Sequence, residues 1–381
     1  MMKKMMRIVG VVLVLCLLLG TLTACHSKDE IAVTVDGVKL RTATYLCAMI
    51  QADQEGRQTV YNTLSVKSDF DSSATIDYAS EKIEDTDFTT WVENRALEIC
   101  KMYALNVKRA EEFKLTLTEE QIAGAKQQVD NYWNNYGYSY LFEKNGVSYD
   151  TYLDMYQNSL YESLYFLHLY GKEGTEPADE KEINEVLFDN YDLMYYLVSG
   201  PNDSEGNAKD ESVLTEEKAK LNTLAAQINN GTKTFAAAYE EFNGEALTAS
   251  EPVTDGSAPL DTNATLIASS ESKTQYASEF FTTVHELGVG KAVVTTHDEY
   301  TYLFVRGDLK ADPYYAKNLY DSALSIKLYD GFDKTYKEAA AALTAEKSSY
   351  ATGRISISDF DYSEYQSYAS YLNQYASQSA Q

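Results

Sequence analysis

Helical periodicity dominates the first half of the chain. Phe88, Val92, Ala96, Ile99, Tyr103 and Val107 recur at steps of three and four, which predicts one long amphipathic helix from about Asp85 to near Phe113. Thr118-Glu119-Glu120 restarts a helix with Ile122, Ala125, Val129 and Tyr132 on one face. Gly146 breaks the chain. A third helix then carries Tyr149, Tyr152, Leu153, Tyr156, Leu160, Leu164 and Leu167 and stops at Gly171. Gly174 and Pro177 mark a linker before a short helix over Asp179 to Tyr191. Upstream, the β-rich runs Ile31–Val35 and Val38–Leu40 flank Asp36-Gly37, the dipeptide of a tight hairpin. Thr42 or Thr44 caps the helix that follows.

The texture changes at Leu193. Residues Leu193 to Val198 read as a buried strand, and a polar loop follows from Ser199 to Glu211. Thr215 to Ile228 and Phe235 to Phe242 are helical, Asn243 to Lys273 is irregular and turn-rich, and Tyr276 to Val284 is a further helix. Lys291 to Thr296 and Tyr300 to Arg306 form two strands around His297-Asp298-Glu299. The order β-α-α-α-β-β predicts a small α+β domain. Pro313 opens a long helix to about Lys347, and the Ser-, Tyr- and Gln-rich stretch from Ser348 to Gln381 has no helical period and reads as disordered. No internal repeat is visible.

The N-terminus has its own pattern. Lys3, Lys4 and Arg7 precede an apolar run from Ile8 to Leu19, and Leu22-Thr23-Ala24-Cys25 closes it. A charged start, a short apolar core and small residues before a cut are the marks of a secretory signal. The run is shorter than the about 20 residues that span a bilayer. Its end resembles the lipobox of bacterial lipoproteins, which implies a signal peptide over 1–24, lipidation of Cys25 and a polar tether over 25–30. Membrane attachment through that lipid, on the outer face of the cytoplasmic membrane, is the expected location.

Charge narrows the partners. Loss of Lys3, Lys4 and Arg7 with the signal takes the formal charge from −26 to −29. So acidic a chain does not bind nucleic acid through phosphates, nor anionic lipid by charge. The chain holds 32 Tyr against 13 Phe and 2 Trp. Tyrosine brings large contact area with a polar tip, which suits half-buried helix faces and, alternatively, an adaptable surface for polypeptide.

Other chemistry is sparse. Cys100 shares an apolar helix face with Ala96, Tyr103 and Val107, so a buried thiol is expected, with a Cys47–Cys100 disulfide as the alternative outside the cell. No cysteine or histidine spacing fits a metal. His285 and His297, beside Glu286, Asp298 and Glu299, read as structural or solvent-exposed residues, His297 on a hairpin turn, and His168 as a core histidine. Gly288-Val289-Gly290 lacks the third glycine of a dinucleotide loop and marks a turn. No serine sits in a nucleophile elbow, and pairs such as Glu119-Glu120 are solvated helix faces.

Three segments in order carry a family resemblance. Val33-Thr34-Val35-Asp36-Gly37-Val38, Leu115-Thr116-Leu117-Thr118-Glu119-Glu120-Gln121-Ile122, and Phe142 through Tyr152 with its Lys144-Asn145-Gly146 turn, all behind a lipobox, resemble the PrsA/SurA class of exported foldases. The likeness spans Ile31 to Lys347. It implies an α+β protein. A mainly helical chaperone domain (31–191) would be completed by a returning C-terminal helix (312–347). Between them would sit an inserted parvulin-like α+β domain (192–311), with a tail over 348–381.

The same resemblance places the isomerase positions. The family's first-strand histidine falls on Tyr195 and its last-strand histidine on Thr301. The proline-pocket Met falls on Tyr276, while the pocket Phe is kept as Phe280. Rotating an X-Pro bond crosses a barrier near ~20 kcal/mol, and neither replacement offers imidazole chemistry. The implied role is a chaperone for unfolded or secreted polypeptides that needs no cofactor and no metal, with isomerase activity lost or very weak. Two readings stay open beside it: a working peptidyl-prolyl isomerase with a rearranged site, and a surface-binding lipoprotein with no folding role. A homodimer is compatible with the family.

Overall fold

The computed structural model describes residues 30–67, 75–247, 265–269, 275–311 and 313–366. Cys25 and the apolar run before it lie outside the described residues, and no described helix is long and apolar enough to cross a membrane. The fold is α+β. It gathers into two compact units, one of residues up to Tyr165 and from Lys334 onward, the other Phe166–Asp333.

The first unit opens with strands β1 (Ile31–Val35) and β2 (Val38–Arg41), paired antiparallel. Asp36 and Gly37 have φ of 44° and 89°, as a two-residue turn matched to strand twist requires. Helix α1 (Thr42–Ser65) follows. A small hairpin, β3 (Lys82–Ile83) and β4 (Thr86–Asp87), leads into α2 (Phe88–Phe113), which spans the predicted stretch. The rings of Phe88 and Trp91 come within 3.0–3.1 Å of where a Cβ on Gly56 would stand, so the α1–α2 approach depends on that glycine. Helix α3 (Glu119–Asn135) starts at a reciprocal cap: the Thr118 hydroxyl accepts from the Gln121 N–H, and the Gln121 side chain accepts from the Thr118 N–H. Helices α4 (Tyr138–Phe142) and α5 (Tyr149–Tyr170) complete the run, with Trp133 enclosed by Phe142, Tyr149 and Tyr152. Cys47 and Cys100 are free, fully buried thiols in this core. Burial pushes the Cys100 thiol up to about 12 and Cys47 higher still, which makes both unreactive.

The returning helix ends earlier than its composition suggests. Among the elements of the second half, α10 (Pro313–Ala341) stops before Leu343, and Ala345–Lys347 is a strand, not the helix expected through Lys347. That strand, β9, pairs antiparallel with β1, Val33 opposite Lys347 and Val35 opposite Ala345. The Asp36 carboxylate accepts from the Thr344 N–H, and the Asp36 N–H donates to the Thr344 carbonyl, both at 3.0 Å. A free sheet edge overrides helix propensity here. The expected disorder from Ser348 is also corrected through Gln366. Ser348 caps a short helix, α11 (Ser349–Arg354), and Ala351 and Tyr362 are buried against the first core. Residues 367–381 lie outside the described residues.

The second unit holds α6 (Glu180–Asn190), β5 (Tyr191–Ser199), α7 (Glu211–Asn229), α8 (Phe235–Asn243), β6 (Thr265–Ser269), α9 (Gln275–His285), β7 (Ala292–His297) and β8 (Tyr300–Arg306). Strand β6 falls in a stretch read from sequence as irregular. The antiparallel sheet runs β6-β5-β8-β7. Helices α7 and α8 cover one face, where Leu197, Leu224, Tyr239, Leu303 and Val305 are buried. Helix α9 covers the other, with Met194, Phe280, Val284, Tyr302 and Phe304.

Candidate functional site

Three of the positions implied by resemblance, Tyr195, Thr301 and Phe280, do not line one slot. Alternation turns Tyr195 and Thr301 toward α7 and α8: the Tyr195 ring lies 5.4 Å from Phe235, and the Thr301 hydroxyl 3.4 Å from that of Thr296. Phe280 packs on the opposite face, with ring centroids 4.6 Å from Phe304, 5.1 Å from Tyr302 and 5.7 Å from His297. The sheet stands between them. Tyr276 lies on the first turn of α9, and its side chain is outside the described part of the chain. Tyr196, Tyr302 and Phe304 do share Phe280's face, and the two tyrosines each lie one residue along from an expected position. A one-residue change in register moves a side chain to the other face. Nothing in the run Met194-Tyr195-Tyr196-Leu197 distinguishes the faces, because both are covered and both are apolar.

Two polar clusters sit at the ends of this sheet. At one, the Ser199 hydroxyl donates to Glu217 at 2.6 Å and Lys209 Nζ to the same carboxylate at 2.9 Å. Burial pushes the Glu217 carboxyl up, but the Ser199 and Lys209 donors outweigh it and hold it below the ordinary 4.5. A depressed carboxylate stabilises the fold above its ordinary value and loses that contribution as pH falls through its folded value. Glu217→Gln is therefore expected to cost about 1–2 kcal/mol at pH 7. The difference from the parent should shrink in denaturant titrations as pH falls below 4.5 and through the folded value. At the other end, buried Asp192 accepts from Arg306 Nε at 2.9 Å and pairs with His285 Nδ1 at 2.8 Å. Among the described residues, no group of three or more His, Cys, Asp or Glu is placed to hold a metal.

The first unit also carries a concavity. A cleft of about 450 Å³ opens between α1, α2, α5 and the end of α10. Ile99, Met102, Tyr103, Tyr152, Met155 and Tyr156 give it apolar walls. Its floor is polar yet satisfied. Asn106 Nδ2 donates to the Asn158 carbonyl at 3.0 Å, Asn158 Nδ2 to the Tyr103 carbonyl at 3.3 Å, and Tyr336 Oη to Asn106 Oδ1 at 2.7 Å. Lys101 Nζ donates to the Ala341 carbonyl at the rim. Sequence periodicity identified Ile99, Tyr103, Tyr152 and Tyr156 as an apolar face. Asn106 and Asn158 were not visible, since a buried asparagine pair has no local signal.

The α+β chain thus carries an apolar-walled cleft in its first unit, and in its second the sheet separates Tyr195 and Thr301 from Phe280. No family model matches the chain, and no curated protein matches it. Among solved structures it is similar to the foldase protein PrsA from Lactococcus lactis, at 12% identity and TM-score 0.34 over 85% of this chain and 97% of that one. PrsA from Streptococcus pneumoniae gives 13% and 0.36 over 76% and 99%, and PrsA from Bacillus subtilis 12% and 0.31 over 74% and 94%.

Proposed function

We propose that this protein is an extracytoplasmic chaperone, tethered by a lipid on Cys25, that holds unfolded polypeptide segments in its helical cleft and does not isomerise prolyl bonds. The observation that carries the reading is the cleft. Its methionine, isoleucine and tyrosine walls adapt to many side chains. Its floor already satisfies its own hydrogen bonds, so an apolar client group strands no polar partner. A surface that contacts without selecting suits a binder of non-native chains. The absence of isomerisation is supported by the separation of Phe280 from Tyr195 and Thr301. The tether is supported by the Leu22-Thr23-Ala24-Cys25 sequence and the charged, apolar segment before it.

The purified protein is expected to suppress aggregation of a denatured client in near-stoichiometric amounts. The double variant Ile99→Gln, Met102→Gln should weaken that protection about tenfold, since each replaced side chain gives up burial worth about 1.5–3 kcal/mol when complete. Turnover of an X-Pro tetrapeptide should stay at background. Turnover that disappears in Phe280→Ala would instead make the protein an isomerase. Protein extracted from its native membrane should yield an acylated N-terminal peptide beginning at Cys25, and an unmodified one would remove the tether.

A further inference from the structure

Strand β7 is an outer strand of the sheet, paired on one side with β8. In an antiparallel ladder, successive residues direct their main-chain groups toward the partner and away from it in turn. Ala292 directs its groups away. Its N–H donates to Asn229 Oδ1 and its carbonyl accepts from Asn229 Nδ2, both at 2.9 Å. The side-chain amide of Asn229, at the end of α7, thus serves Ala292 as a neighbouring strand would. By the same alternation Val294 and Thr296 also direct their groups away from β8. Among the described residues, nothing supplies to these two what Asn229 supplies to Ala292.

We propose that β7 accepts an extended segment of non-native polypeptide as a further strand, paired through the main chain of Val294 and Thr296. Strand addition draws its affinity from backbone groups that every polypeptide carries. It rests on the chaperone reading only for the nature of the partner, and it uses a surface distinct from the helical cleft. Charge selects the occupant. Lys291 immediately precedes the strand, with its ammonium on the Asn229 carbonyl, and Lys218 reaches Thr296 Oγ1 at 3.5 Å, both exposed, in a chain of net charge −26. Two antiparallel copies centred on Val294 and Thr296 would bring their Lys218 side chains toward each other, with Lys291 at the Asp298 end, whereas a strand flanked by acidic residues meets both lysines with opposite charge.

The test uses the full chain and a fluorescent peptide, Glu-Val-Thr-Val-Thr-Val-Glu, with two versions carrying N-methyl groups on alternate residues. Main-chain pairing has a period of two, so one methylated version should bind at least about tenfold more weakly and the other within about twofold of the parent. These measurements need no change to the protein. Val294→Pro should also weaken binding about tenfold, because it removes an outward N–H and leaves the β8 ladder intact. The Ile99→Gln, Met102→Gln variant should bind the peptide as the parent does, which keeps failure of the cleft apart from failure of the edge. No binding, equal binding of both methylated peptides, or unaltered binding by Val294→Pro would each overturn the proposal. So would a dimer that Val294→Pro dissociates, since a second copy would then own the edge.

Discussion

Arg306→Ala is expected to destabilise the second unit by about 3–5 kcal/mol, the cost of leaving a buried charge without its partner. The Asp192 side chain is 4% exposed. Its Oδ1 receives Arg306 Nε at 2.9 Å and a second guanidinium nitrogen at 2.8 Å, while Oδ2 meets His285 Nδ1. The same guanidinium donates to the His285 and Leu287 carbonyls at 2.5 and 2.7 Å. One side chain therefore joins the start of β5, the end of β8 and the end of α9. Removing it strands a carboxylate and two carbonyls at once. Arg306→Lys should recover little, because a point charge cannot reach all these acceptors. Hydrogen exchange at the β5 and β8 amides is the direct measurement. Both tryptophans, Trp91 and Trp133, lie in the first unit, so their fluorescence provides a separate baseline. A loss under 1 kcal/mol, or no recovery in the Arg306→Ala, Asp192→Asn double variant, would show that the ion pair is not what holds these elements.

What sequence made legible follows a physical division. Helices α2, α3 and α5 bury one stripe and expose the rest, and a one-sided environment writes its period into the chain. The Asp36-Gly37 hairpin and the helix start at Thr118 were legible for a related reason: backbone geometry at those points admits few residue types, whereas Arg41, and neither Thr42 nor Thr44, stands at the cap of α1. The sheet of the second unit is covered on both faces, so β5 carries no alternation, and the side to which Tyr195 points could not be deduced. Strands β6 and β9 depend on partners distant in sequence. β9 in particular exists because β1 lacks a neighbour on that side, while Ala345-Glu346-Lys347 has helical composition. The candidate cleft was half visible, its apolar walls in the period of α2 and α5, its asparagine floor only in three dimensions. Tyr195 and Thr301 were grouped with Phe280 by matching strands to motifs, which does not settle which face of a sheet a residue occupies.

The C-terminal segment gives the second large effect. Arg57→Ala should cost the first unit about 3–5 kcal/mol and release the chain beyond Ser356. Asp53 is fully buried, and Arg57 Nε meets its Oδ2 at 2.6 Å. The guanidinium also lies between two rings, 4.6 Å from the Tyr78 centroid and 4.9 Å from that of Tyr362. Burial, then the Asp53 carboxylate, push the Tyr362 phenol well above its ordinary range, with Arg57 opposing them, so the ring stays neutral over the pH range of folding. Asn145, exchanging two hydrogen bonds with the Asp361 main chain, and Lys144, on Glu364, hold the segment at a second point. Tyr362→Ala separates the two contributions. It removes the stacked ring and leaves the Arg57–Asp53 pair, so it should free the segment to chymotrypsin while costing less global stability than Arg57→Ala. Equal stability losses in the two variants would mean that the ring, not the buried charge, supplies the energy. Equal resistance to protease in Tyr362→Ala and the parent would mean that Lys144 and Asn145 hold the segment without it.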